Sequence, residues 1–466
     1  MSPDDLHYLP LLEVSDRIRR RELSPVTVTE AILDRIARLD GQARSYTTVL
    51  ADRARAGAAR AEAELAAGLW RGPLHGVPLA VKDLCATSFA PTSGGMPMLR
   101  NATPDHDATV VRRLEDAGAI ILGKLKMTEG AYTSHHPDDP PPLNPWNPAH
   151  WVGSSSTGSG VATALGLCFG SLGSDTGGSI RFPSATCGLT GIKPTWGRVS
   201  RHGIMPLAAS LDHVGPMTRS AADAAAMLGV IAGADPDDPT AIQDPVPDYL
   251  AELGRGIRGM TIGVDDSYNS EGIDLEVSEA VHAAERVFAA LGARIRRIDF
   301  PPTDSLVRGW IPFCAVETAI AHQAAYPMHA GEYGPDLANL IEHGHRMTGV
   351  EFGTIMHERQ EFSGRLAALF RDVDVLLVPT MPVPAPSLER MAEYGGDDSV
   401  LLRMLRFTAP FNFAGNPTIT LPCGIDAQDM PLSLQLVGPH VSEALLCRAA
   451  HAFQQRTDWH TRRPPG

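Results

Sequence analysis

The sequence predicts an α/β fold, and three observations carry that prediction. Helical and strand-like segments alternate along most of the 466 residues. Hydrophobic residues make up 43% of the chain against 20% charged, enough for a sizeable core and too apolar for wholesale disorder. The proline-heavy stretches, 137–148 and 379–386, are too short to act as interdomain linkers, and no internal repeat is visible. Although the length would allow two or three domains, a single domain over 1–466 is expected. Within it, 1–70 reads as a helical N-terminal part, 76–220 as the core carrying the chemistry, and 300–370 as a substrate-shaping insertion.

The elements follow from local signals. Ser24-Pro25 is an N-cap followed by proline at the first helical position, opening a helix to about Leu39. The Ala/Arg/Glu-rich run 51–67 reads as a second, largely exposed helix. GVPLAVKD, 76–83, is a short apolar run closing on Lys82-Asp83, the pattern of a buried strand. A helix over 107–117 ends at Gly118, and AIIL, 119–122, follows as a strand. Further strands are expected at 260–264, 295–298, 373–378, 418–421 and 432–437. Helices are expected at 276–291, 349–370 and 442–455.

Composition excludes several functions. Forty Lys and Arg against 54 Asp and Glu leave a net charge of −14, which repels phosphate backbones and disfavours nucleic acid as a partner. The six cysteines lie far apart with no CxxC pair, fitting neither a disulfide framework nor a thiolate metal site. Reduced thiols in a cytoplasmic protein are the simplest reading. The N-terminus has no basic region before an apolar run, so a signal peptide is not expected. Residues 151–174 carry no charge and are long enough to span a bilayer. Their Gly, Ser and Thr content argues instead for a tightly turned catalytic segment.

That segment begins the most informative region, 153–191. Two Gly/Ser clusters flank an apolar, helix-like stretch, 161–169. The second cluster, GSDTGGS at 173–179, places three glycines in seven residues and ends on Ser179. Glycines so concentrated mark backbone positions where no side chain fits. Successive peptide N–H groups in such a loop can converge on an oxyanion. The cluster abuts apolar sequence and RFPSATCGL, which is not linker composition. Ser179 then needs a base. No Gly-x-Ser-x-Gly occurs, and none of the 17 histidines has a distinctive setting. Lys82 does, at the end of an apolar strand, where burial favours the neutral amine. The competing reading is a lysine that snorkels to the surface or pairs with Asp83.

GVPLAVKD, GSSSTGSG and GSDTGGSIRFPS, in this order, resemble the amidase signature enzymes. So do NPWNP before the first cluster, GIKPTWGRVSRHG and SLDHVGPMTRS after the second, and TAPFNFAGNPTITLPCG at 408–424. The resemblance runs from about residue 24 to the C-terminal helix. It implies a large mixed sheet covered by helices on both faces. It implies a Ser-cisSer-Lys catalytic group, with Ser179 as the acylated nucleophile, Ser155 as the bridging serine after a cis peptide bond, and Lys82 as the base. It also implies an oxyanion hole from the amides of Thr176, Gly177, Gly178 and Ser179. The relay needs neither histidine, metal nor cofactor. Thr157 and Ser154 stand where the family most often has glycine, as does Ser433.

Other signals are set aside. Gly118 to Lys124 nearly matches a phosphate-binding loop, but Leu125 holds the Ser/Thr position and the interior reads as a strand. His135-His136 and His343/His345 lack partner acids or cysteines at ligand spacing. Arg181, so close to the nucleophile, is expected to hold the catalytic loop. By resemblance Gly130, Ala131 and Tyr132 pass near the scissile carbonyl and bind substrate. Segments 200–213 and 302–350 shape the pocket, and Trp310, Phe313, Phe407 and Phe411 are core or pocket aromatics. The expected activity is hydrolysis of a small aryl or acyl amide, with carbamates and esters as further substrates, by a monomer or homodimer away from membranes. The alternative is the glutaminase subunit of a tRNA-dependent amidotransferase, against which the loop YTSHHPDDPPPL speaks.

Overall fold

The computed structural model describes residues 6–394 and 398–465. Eleven strands form one mixed sheet: β1 (Tyr46–Val49), β2 (Pro78–Lys82), β3 (Ile120–Leu125), β4 (Gly170–Asp175), β5 (Thr190–Lys193), β6 (His213–Thr218), β7 (Thr261–Val264), β8 (Arg294–Arg297), β9 (Val375–Pro379), β10 (Thr418–Ile425) and β11 (Pro431–Val437). Their spatial order is β1-β3-β2-β4-β6-β5-β10-β11-β9-β7-β8. In the central strands every residue is buried, so both faces are covered and side chains alternate into two apolar layers.

The expected helices form where their signals lie. Helix α1 (Pro25–Ala43) is capped by Ser24, whose side chain accepts from the amides of Val26 and Thr27. It runs past Leu39 because Arg44, at φ 56°, supplies the left-handed stop. Helix α2 (Ala51–Ala66) buries only an alanine stripe and Leu65. Helices Thr109–Asp116, Leu275–Ala290, Gly349–Leu369 and Glu443–Arg456 match the remaining expectations.

Between residues 157 and 218 the sequence reading needs correction. The apolar stretch 161–169 is not one helix: α3 (Thr157–Ala164) takes up the Gly/Ser cluster itself and stops before Gly166, at φ 65°. Residues 173–175, expected in a loop, are the end of central strand β4. Gly170 and Gly173 are closely packed: a Cβ would lie 2.5 Å from the Met227 sulfur and 2.9 Å from the Met217 sulfur, so those side chains would have to shift. Strand β6, HVGPMT, carries Gly and Pro and gives no strand signal, yet it pairs along its whole length with β4.

The topology fixes where chemistry can occur. Strands β3, β2 and β4 are adjacent and parallel, so their carboxyl ends emerge at the same edge of the sheet. Such an edge is the usual place for a ligand crevice in open α/β sheets. Lys82 ends β2, Asp175 ends β4, and the chain after β3 runs directly into 128–132. Two helices start at this edge: α3, after the first serine cluster, and α4 (Arg181–Thr186), after Ser179. A third, α5 (Asp304–His322), crosses over it from the 300–370 region. All six cysteines are buried and unpaired. Among the described residues no helix is long and apolar enough to cross a membrane.

Candidate active site

Lys82 is completely buried at the end of β2. Asp83, the neighbour that would neutralise it, turns the other way, pairing with Lys124 at 3.2 Å and accepting from the Ser93 hydroxyl. Three hydroxyls surround the amine instead: Ser155 Oγ at 2.6 Å, with Ser156 Oγ and Ser174 Oγ each at 2.9 Å. Burial lowers the Lys82 pKa to about 7, and the more distant Cys85, Asp175 and Asp212 only partly offset it. A lysine in this setting has a substantial neutral fraction near pH 7, and that fraction grows above it.

The first serine loop is held by its backbone. The Ser154–Ser155 peptide bond is cis. The Thr128 amide donates to the Ser155 carbonyl at 3.2 Å, and the Ser156 amide to the Ser179 carbonyl at 3.3 Å. These two bonds tie together the segments leaving β3, entering α3 and following β4. Gly153, at φ 79°, passes so close to α4 that a Cβ would lie 2.4 Å from the Pro183 nitrogen.

The second loop turns around Asp175, whose carboxylate accepts from the amides of Gly178 at 2.9 Å and Ile180 at 3.0 Å. Arg181 grips both carboxylate oxygens (2.8 and 3.0 Å) and also donates to the Thr408 carbonyl and Asn412 Oδ1. Burial alone would raise the Asp175 carboxyl; the charge and hydrogen bonds of Arg181 outweigh it and hold the group below the usual carboxylate range. Arg181 therefore holds the loop, as expected from its position. An Arg181→Met variant leaves a buried, uncompensated carboxylate and is expected to lose about 3–5 kcal/mol of stability, measured by urea unfolding.

Between Asp175 and Ser179 the carbonyls are all claimed. Trp310 Nε1–H donates to the Thr176 carbonyl at 3.1 Å, the Thr408 hydroxyl to that of Gly177, and the Phe182 amide to that of Gly178. In a trans peptide the N–H points opposite the preceding carbonyl. The amides of Gly177 and Ser179 therefore face away from Trp310 and from α4. The Gly178 amide, also expected to donate to that point, donates to Asp175 Oδ1 at 2.9 Å. Gly177 admits no side chain, since a Cβ would lie 2.4 Å from the Trp310 ring. The Thr176 hydroxyl donates to Asp212 at 2.6 Å. Burial raises that carboxyl to about 6.

Ser179 is half-buried, the most open of the three candidate catalytic residues. Ser155 and Lys82 are in direct contact, whereas the hydroxyls of Ser155 and Ser179 are not hydrogen-bonded to each other. Gly130 and Ala131 form a left-handed turn at φ 54° and 64°, with the Gly130 amide donating to the Gly94 carbonyl at 2.9 Å. Tyr132 packs against a small apolar cluster that includes Met96, Tyr326, Tyr333 and Leu337. The α5 side chains Trp310 and Phe313 belong to the main core, as do Phe407 and Phe411. Sequence reasoning missed the contacts of Ser156 and Ser174 with the amine and the role of Asp175. No local signal separates these residues from their Ser- and Gly-rich neighbours. Among the described residues the His/Asp/Glu grouping with ligand-like spacing is Asp266, His282 and Glu285. Arg297 already pairs both of its carboxylates.

The family model described as Amidase matches residues 27–447. Over 465 residues the chain is 50% identical to "Putative amidase AmiD" of Mycobacterium tuberculosis, covering 100% of this chain and 98% of that one. It is 36% identical to one subunit of the glutamyl-tRNA(Gln) amidotransferase of a Geobacter species, covering 99% and 100%. The crystal structure of the native peptide amidase from Stenotrophomonas maltophilia superposes with a TM-score of 0.83 at 30% identity, over 98% of both chains.

Proposed function

The chain belongs to the amidase family, and from that premise we propose that it hydrolyses a small aryl or acyl amide through an acyl-enzyme on Ser179, with Lys82 as general base and Ser155 as the bridge between them. The observation that carries this reading is the fully buried Lys82 amine, 2.6 Å from Ser155 Oγ and without a carboxylate partner.

A count of protons supports the bridge. A neutral amine has two N–H donors and one lone pair. The Ser156 hydroxyl lies 3.2 Å from the Ser174 carbonyl, which can only accept, so Ser156 gives its proton there and accepts from Lys82. Of Ser155 and Ser174, one takes the second N–H and the other gives its proton to the lone pair; the reading gives that part to Ser155, at the shortest of the three contacts. As Ser179 attacks the carbonyl, its proton passes to Ser155 and that of Ser155 to Lys82. The relay reverses to protonate the departing amine, and water repeats the sequence on the acyl-enzyme. Contact between the Ser155 and Ser179 hydroxyls closes once substrate is bound. The Gly177 and Ser179 amides, with Thr176 beside them, stabilise the oxyanion.

The same acyl-enzyme chemistry serves carbamates and esters, since each has a carbonyl with a releasable group. The stand-alone reading is favoured over the glutaminase subunit by the higher identity to the amidase relative, 50% against 36%. A panel of matched p-nitroanilides, carbamates and esters tests it on the purified chain, with anilide hydrolysis expected. Deamidation of free glutamine in place of anilide hydrolysis would support the subunit reading instead.

A further inference from the structure

We propose that His135 is a positioning residue for the reaction: through Thr157 it fixes the first turn of α3 and so keeps Ser155 and Ser156 on the Lys82 amine. The proposal rests on the Ser–Lys reading above. It arises from a departure noted in the sequence, a threonine at 157 where the family most often has glycine. Thr157 is the first residue of α3, two residues beyond Ser155.

His135 comes from the 133–143 loop and lies with Nε2 3.2 Å from Thr157 Oγ1. The Thr157 hydroxyl also lies 3.3 Å from the Lys126 carbonyl, which can only accept. The hydroxyl proton goes there, so the His135 Nε2–H donates to Thr157 Oγ1. Burial lowers the His135 pKa against the opposing effect of Asp139, in keeping with a neutral ring. The loop is anchored again at Asp139, whose Oδ1 is 2.5 Å from Lys126 Nζ and whose Oδ2 is 3.9 Å from His135 Nδ1. The Gly158 amide donates to the Lys126 carbonyl at 2.9 Å.

Thr157, Lys126, Asp139 and His135 thus close a ring that clamps the start of α3 onto the end of β3. At Gly158 the helix backbone passes so close to residue 45 that a Cβ there would lie 2.2 Å from the Ser45 carbonyl. His135 side-chain exposure is 9%, and its Nδ1 has no hydrogen-bond partner. The charged groups facing His135 are Asp139, Lys126 and, further off, Lys82.

A double-mutant cycle tests this. His135→Ala and Thr157→Val are each expected to lower kcat on an anilide by about tenfold to a hundredfold, as small misplacements of reacting groups do, with KM changed less than about twofold. The double variant should lose no more than either single one. His135→Gln, whose side-chain amide can donate to Thr157, and Thr157→Ser should recover most of the rate. Thermal unfolding reports whether each variant is folded. Additive losses, a loss carried by KM, or a Gln variant no better than Ala in folded protein overturns the proposal. Retained activity in Ser179→Ala would instead overturn the Ser–Lys reading itself.

Discussion

Ser179→Ala is expected to lower kcat on an anilide by about four or more orders of magnitude while the thermal unfolding midpoint stays close to that of the parent. The separation of the two effects follows from the geometry. Ser179 is partly exposed, and what the fold uses at this position is its carbonyl, which accepts from the Ser156 amide. Alanine keeps that carbonyl and removes only the attacking oxygen. The remaining amides of the turn still bind the substrate carbonyl, so some catalysis over water and some substrate affinity survive. Steady-state kinetics on a p-nitroanilide gives the loss. A phosphonate or sulfonyl fluoride adduct located on Ser179 by mass spectrometry gives the site. Turnover within about tenfold of the parent, or an adduct on another serine, would remove Ser179 from the mechanism.

Lys82→Ala is the second large effect and separates substrates by leaving group. An anilide releases an amine that needs a proton as it departs, and in the proposed relay Lys82 delivers it. A nitrophenyl ester releases a phenolate that leaves without one. The variant is expected to lose more on the anilide than on the matched ester, compared as kcat/KM. Equal losses would mean that Lys82 only positions the serines, and no loss on either would exclude it. The parent should show the same group in its pH profile. With Lys82 at about 7, the amine is protonated and unable to accept below that value. Anilide kcat/KM therefore falls about tenfold per pH unit on the acid side and levels off above it. Asp212 is raised to about 6. Because it holds Thr176, a second, shallower inflection on the acid limb is assigned by Asp212→Asn, which removes that inflection and moves the one due to Lys82 to lower pH, since the Asp212 charge helps to hold the Lys82 pKa up.

Much of this architecture is legible in local sequence. The cap at Ser24, the apolar run ending on Lys82, the helix and strand around Gly118 and the strands at 418–437 depend on near neighbours in the chain, and they fold as read. The sheet near 170–218 does not. Strand β4 is made of GSLGSD and β6 of HVGPMT, sequences with little strand propensity. They are strands because each completes its neighbour's backbone hydrogen bonds in the middle of a sheet buried on both faces, where packing overrides propensity.

By itself the sequence determined the residue types and their order: a lysine ending an apolar strand, two serine clusters and a glycine turn, in a pattern that places the chain among amidases. Which groups touch the amine was decided by tertiary structure alone. Lys82 and Asp83 are adjacent in sequence, yet Lys82 ends β2 and Asp83 begins the turn after it, so the carboxylate leaves for Lys124 while the amine meets Ser155, Ser156 and Ser174. Gly178 looks equivalent to Gly177 in the sequence, but Asp175 claims its amide once the turn closes around Arg181. Those choices depend on which face of a strand, and which side of a peptide, ends up toward the crevice. They are fixed only when strands 40 to 100 residues apart in the chain pair with one another.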